Sequence, residues 1–235
     1  MTPALRRAIW LLGAGQCAYW GMVYYGFSVL LVPMVEELHS SRPVIAGAFS
    51  VGLLVMALVA PQVGRWVDRD HAPRVMRGGA WIAIAGVLAA SQVPSVPALY
   101  VAWAVLGLAM ATLFYEPALG LVIRTVKLDS ERLRALASVT VVAGLASTIF
   151  LPTMAVAVKH IGWRSTEVAV AVAIAAVSIG LHRFVLPEFP AGPAREAAAA
   201  VGAPGERVRR PATFGVLALV FVLSQLGSIS LTTVL

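Results

Sequence analysis

Glu116 is the one acid in a run of 26 residues, 98–123, that otherwise carries no charge. Pro117 follows it. A proline inside a helix lacks the N–H that would bond the carbonyl four residues back, here that of Leu113. An acid and a freed carbonyl therefore share one apolar stretch. A carboxyl in that position can carry a proton, contact a polar solute, or bond a neighbouring helix. Gln16 and Tyr24 lie in another uncharged run, 8–35, with Tyr19, Trp20 and Phe27 at spacings of three to four residues. Those spacings fall on one helix face, which either lines a cavity or packs against other helices. Ser138, Thr140, Ser147 and Thr148 offer small hydroxyls with the same two uses. Gly64, Asp68 and Arg69 open a charged turn. Glycine lets helix backbones approach closely, and an aspartate can sit at a helix N-terminus, where about half a positive charge resides.

Other chemistry finds no support. Cys17 is the only cysteine, so there is no internal disulfide and no multi-cysteine metal site. His39, His71, His160 and His182 are too scattered for one metal site. A phosphate loop of the Gly-x4-Gly-Lys-Ser/Thr type is absent, which leaves ATP-driven work unsupported. The chain carries no enzyme signature, and no cofactor or metal is implied.

The elements that must position these residues follow from composition. The chain has 235 residues, 60% of them hydrophobic and 12% charged, and its mean hydropathy is +0.86. An average soluble domain is roughly 25% charged, so this chain cannot cover a water-facing surface. Disorder needs low hydrophobicity and is excluded as well. The remaining class is an integral membrane protein. About 20 apolar residues cross a bilayer as a helix. The first run is too long for the 7–15-residue apolar region of a signal peptide. Further runs cover 44–63, 78–93, 98–123, 135–158 and 166–186, and a seventh begins at 213. Ser41 and Pro43 are suited to start the second helix, as a cap and a first-turn proline. Pro33, Pro61, Pro117 and Pro152 are placed to bend helices or shape the bundle. Residues 187–212 hold five prolines among charges and read as a linker.

Basic residues set the orientation. With the N-terminus in the cytoplasm, 15 of the 18 Lys and Arg residues fall on cytoplasmic segments, and only Arg42, Lys159 and Arg164 fall outside. The pI near 10.3 therefore describes short loops rather than a continuous basic face, and no nucleic-acid partner is expected. Glu116 then lies about 9 Å to the cytoplasmic side of the bilayer centre, from the rise of 1.5 Å per residue. An ionised acid there costs about 2.5–3.5 kcal/mol and needs a partner or a wet cavity. It is the sole acid expected deep in the six spans.

The turn Gly64-Arg-Trp-Val-Asp68-Arg69-Asp-His-Ala-Pro-Arg74 resembles the signature of the major facilitator superfamily, Gly-x-Leu-Ala-Asp-Arg-x-Gly-Arg-Arg. Gly64, Asp68 and Arg69 align with its first half. His71, Ala72 and Pro73 replace the second glycine and the two arginines that follow it. Gly162-Trp163-Arg164, Tyr115-Glu116-Pro117 and the Gly144…Pro152 spacing are similar to elements of the same superfamily. The last of these is closer to carriers of small organic anions than to the drug-antiporter branch.

The resemblance implies an all-α, polytopic membrane helix bundle. Six transmembrane helices, a three-plus-three inverted repeat, occupy residues 1–186. A cytoplasmic linker follows at 187–212, and an incomplete or unpaired seventh helix at 213–235 begins a missing C-terminal half. It implies a secondary active transporter moving a small solute by alternating access, a fragment of a twelve-helix carrier. Gly64, Asp68 and Arg69 would gate the cytoplasmic side, and Glu116, Gln16 and Tyr24 would meet substrate or a coupling proton. The partners implied are the solute, the proton, the lipid bilayer, and the missing half or a second copy of the chain. The bias of 16 Arg over 2 Lys fits a bacterial inner (plasma) membrane. The alternatives are a non-transporting membrane protein, such as a sensor or assembly factor, and an inactive truncated product.

Overall fold

The computed structural model describes residues 1–189, apart from the side chain of Asp70. Most of the expected linker, and the seventh run at 213–235, lie outside the described residues. All regular structure among the described residues is helical.

Thr2 starts the first helix. Its hydroxyl accepts the Leu5 N–H at 3.2 Å, and Pro3, which has no N–H to satisfy, takes the first helical position. Helix α1 (Pro3–Tyr19) runs through a π-helical stretch, Trp20–Tyr25, into α2 (Gly26–Glu37). Helix α3 (Arg42–Trp66) follows a turn at His39. Ser41 occupies the cap position but its side chain makes no cap hydrogen bond, contrary to expectation. The second helical residue is Pro43, which has no N–H to offer. A second π-helical stretch, Val67–His71, leads into α4 (Ala72–Ser91).

The fourth run is not one helix. It divides into α5 (Val96–Leu113) and α6 (Tyr115–Thr125), with Phe114 extended at φ −75°, ψ −152° between them. Pro117 stands three residues beyond the break and cannot sustain the helical ladder across it. Helices α7 (Asp129–Gly144) and α8 (Ala146–Gly180) complete the bundle. The long α8 bends at Gly162, whose φ of +76° and ψ of 162° leave the helical region. Side-chain-bearing residues rarely adopt that φ.

Among the described residues, four stretches are long and apolar enough to cross a membrane: Pro3–Glu37, Arg42–Arg69, Val96–Thr125 and Asp129–Glu188. Their packing explains the small residues along them. Helices α3 and α5 meet where a Cβ on Gly107 would stand 2.3 Å from the Gly52 carbonyl oxygen. Leu12, Tyr19, Met34, Ile45, Leu99 and Met110 form part of the fully buried core. Outside it, Leu58, Trp81, Val101, Val141 and Ile179 are each at least 66% exposed. Apolar side chains facing outward along these helices suit a hydrocarbon solvent.

Candidate functional site

The break at Phe114 places Glu116 in the first turn of α6. There the helix N-terminus favours its negative charge. Its side chain is exposed. It faces a groove of about 530 Å³ between α3 and α6. Asp68 lines the same groove, as do Pro61, Gly64, Tyr115 and Gly120. The acid from the turn and the acid in the apolar run thus share one concavity, although 48 positions separate them in the chain. Asp68 pairs with Arg124 at 3.8 Å while its own side chain stays 81% exposed. An ion pair that open contributes about 0–1 kcal/mol and leaves the carboxylate available to another partner.

Gly64 does not bring two backbones together among the described residues. Nothing lies within 4 Å of where its Cβ would be, so the missing side chain keeps the groove open. The close approach expected there occurs instead at Gly52 and Gly107. Arg69 diverges from Asp68. It lines a different cleft, shared with Arg74 and Gly78, as adjacent helix positions point apart.

Gln16 is fully buried. Its Nε2 donates to the Leu113 carbonyl at 2.8 Å, the group that Pro117 leaves without an intrahelical partner. The Gln16 Oε1 has no hydrogen-bond partner among the described residues. Tyr24 belongs to an aromatic wall joining α2, α3, α5 and α6. Its ring lies 5.1 Å from Trp20 and 5.2 Å from Phe49. Trp20 stacks on Phe114 at 4.3 Å and approaches Tyr115 at 5.2 Å. The wall therefore runs along the helix break to the residue before Glu116. Tyr19 points the other way, fully buried, its hydroxyl 2.8 Å from Ser178 Oγ. Ser138 and Thr140 bond carbonyls of their own helix, those of Arg134 and Leu136.

Two features were not foreseen. Glu167 is an acid buried inside the bundle, only 4% exposed, with no hydrogen bond or ion pair among the described residues. Burial thus falls on Glu167, while Glu116, the acid expected deep in the spans, is exposed to the groove. The sequence signal was present, an acid one turn after Gly162-Trp-Arg, but its facing depends on the bend at Gly162. The second feature is a staple made by that tripeptide. Arg164 donates to Glu37 at 2.6 Å, to the Ser91 carbonyl at 2.7 Å and to the Val93 carbonyl at 2.8 Å. Trp163 Nε1 also donates to Glu37. One guanidinium thereby ties the end of α2 to the carbonyls left open at the end of α4.

Helices of this length, with an apolar exterior and a largely apolar groove that holds two acids beside a broken helix, define an integral membrane protein of the polytopic helical class. Residues 11–235 match the Major Facilitator Superfamily, and the chain belongs to that family of transporters. It is 26% identical over 167 residues to the uncharacterized MFS-type transporter YcxA of Bacillus subtilis (strain 168). The alignment takes in 70% of this chain and 40% of that protein. The chain thus spans less than half the length of the relative it matches.

Proposed function

We propose that this chain forms the N-terminal half of a secondary active transporter that moves a small organic anion by alternating access. The observation that carries this reading is the break at Phe114, which sets Glu116 at the head of α6 in the groove that also holds Asp68. Broken helices with polar groups at membrane depth mark solute and ion sites in transporters.

Glu116 is the proton-coupling group in this scheme. An anionic solute and an ionised Glu116 repel each other, and protonation of the carboxyl removes the repulsion. Solute and proton then travel together. The aromatic wall of Trp20, Tyr24 and Tyr115 gives the solute an apolar face. Gln16 acts one step behind the site, holding the strand-like residue at the break in place through Leu113. Asp68 is the cytoplasmic latch. It alternates between Arg124 and the N-terminus of a helix in the opposite half, a contact worth about 0.3–2 kcal/mol. That is enough to bias two states without locking either. Arg69 acts beside the gate rather than in it.

In this reading the chain crosses six times, three plus three, and the basic bias of its turns argues for an N-terminus in the cytoplasm of a bacterial cell. The ion pairs support this count. The N-terminal amine meets Glu131 at 3.1 Å and Asp68 meets Arg124, which groups residues 1, 68, 124 and 131. Glu37, Ser91, Val93 and Arg164 form the other group. These are the two sets of turns that alternate crossings would separate.

Uptake of labelled monocarboxylates into proteoliposomes, driven by an imposed pH gradient, tests the scheme. The Glu116→Gln protein should lose the response to the gradient while still exchanging solute. Undiminished gradient-driven uptake by that variant would exclude Glu116 as the coupling group.

A further inference from the structure

The cleft that receives Arg69 is chemically unlike the groove that receives Asp68. It has a volume of about 510 Å³, and Arg69, His71 and Arg74 are among the residues that line it. Both guanidiniums belong to side chains open to solvent, and neither makes a hydrogen bond or ion pair among the described residues. The His71 Nδ1 is buried and has no partner among those residues. Val75, Ile82 and Trp66 give the same cleft an apolar lining. Gly78 leaves a slot, since nothing lies within 4 Å of where its Cβ would be. The slot continues onto the outward face of α4. There Trp81 is 69% exposed and Leu88, two turns on, 40% exposed.

Exposed cations beside an apolar lining suit an amphiphile with an anionic head. Guanidinium forks bind phosphate oxygens in pairs. Two such groups within a Debye length of an anionic leaflet attract its lipids. We propose that this cleft binds the headgroup of an anionic phospholipid from the cytoplasmic leaflet. The phosphate lies between Arg69 and Arg74, and one acyl chain follows Gly78 and Ile82 along α4. The site rests on the membrane orientation given above, but not on Glu116 or on transport.

Trp66 reports on the site directly. The protein in phosphatidylcholine bilayers is titrated with dibrominated phosphatidylglycerol or with dibrominated phosphatidylcholine. The fluorescence that Trp66→Phe removes is followed. Half-maximal quenching should need about tenfold less of the glycerol lipid, a preference two basic groups can supply. Arg69→Gln with Arg74→Gln should abolish the preference, and Arg69→Lys with Arg74→Lys should retain much of it. Should the glutamine pair not fold, Arg74→Gln alone should still weaken it. Inorganic phosphate, in roughly the millimolar excess that would fill a weak anion site, should leave quenching unchanged. Equal quenching by the two lipids, or a preference that survives the glutamine substitutions, overturns the proposal. Displacement by inorganic phosphate also overturns it, and assigns the cleft to a free anion. The outcome is independent of the uptake experiment, so failure of one reading is not failure of the other.

Discussion

The side-chain amide of Gln16 donates to the backbone carbonyl of Leu113 at 2.8 Å, across 97 positions of sequence and wholly inside the bundle. Pro117 creates the need for that bond by withdrawing the N–H that would otherwise serve Leu113. A buried carbonyl without a partner costs about 1–3 kcal/mol. Gln16→Met should therefore lower unfolding stability in detergent by about that amount. A Pro117→Ala background restores a backbone N–H at that position, and there the same Gln16 substitution should cost about 1 kcal/mol less. A double-mutant cycle read by thermal unfolding checks the coupling. Strict additivity would mean that the two residues do not serve the same carbonyl.

Arg164 should not be replaceable by lysine. Its guanidinium reaches Glu37, Ser91 and Val93 at once, and a single ammonium cannot reproduce that fork. Hydrogen bonds from a charged group contribute roughly 1.5–3 kcal/mol. Arg164→Lys and Arg164→Ala should both lower the melting temperature by several degrees, at about 2–4 °C per kcal/mol. A lysine variant as stable as the parent would show that the staple carries no weight.

Glycines should separate into two classes. Gly107→Ala drives a methyl to 2.3 Å from the Gly52 carbonyl, and overpacking of that kind costs about 1–3 kcal/mol. Gly78→Ala meets nothing within 4 Å and lies in a helix, where alanine is favoured by roughly 1 kcal/mol. Thermal unfolding should show the first destabilised and the second unchanged or improved. The reverse order would contradict the α3–α5 packing.

Much of the architecture is written locally. The apolar runs and the places where charged turns divide them follow from residue type and short spacing. The break at Phe114 does not, since helices run unbroken through Pro33, Pro61 and Pro152. Where side chains point is less accessible. Asp68 and Arg69 are neighbours, yet they line different clefts, because adjacent positions on a helix point in different directions. The aromatic spacing in the first run was legible, but Tyr19 and Tyr24 face apart, and only the second joins the wall beside Glu116. Gln16 was recognisable as a polar residue in an apolar span. Its partner was not, because that bond depends on how α1 packs against the end of α5. Glu167 was visible as an acid, and its burial depends on the bend at Gly162.

Asp68→Asn should keep the fold, since its pair with Arg124 is open to solvent, while weakening the latch. The loss of about 0.3–2 kcal/mol converts to a shift of roughly 2- to 30-fold between inward-open and outward-open states. Distance measurements between spin labels on the two halves of an assembled carrier would read that ratio. An unchanged ratio would remove Asp68 from the gate.

The side of the membrane on which Asp68 lies is the most direct test of the whole account. In a Cys17→Ala background, Asp68→Cys and Lys159→Cys are each treated with a membrane-impermeant maleimide, in right-side-out and inside-out vesicles. The thiol at position 68 should react only when the cytoplasmic face is exposed, and the thiol at position 159 only from the opposite face. Labelling of position 68 from outside, or of both positions from one side, would contradict that placement.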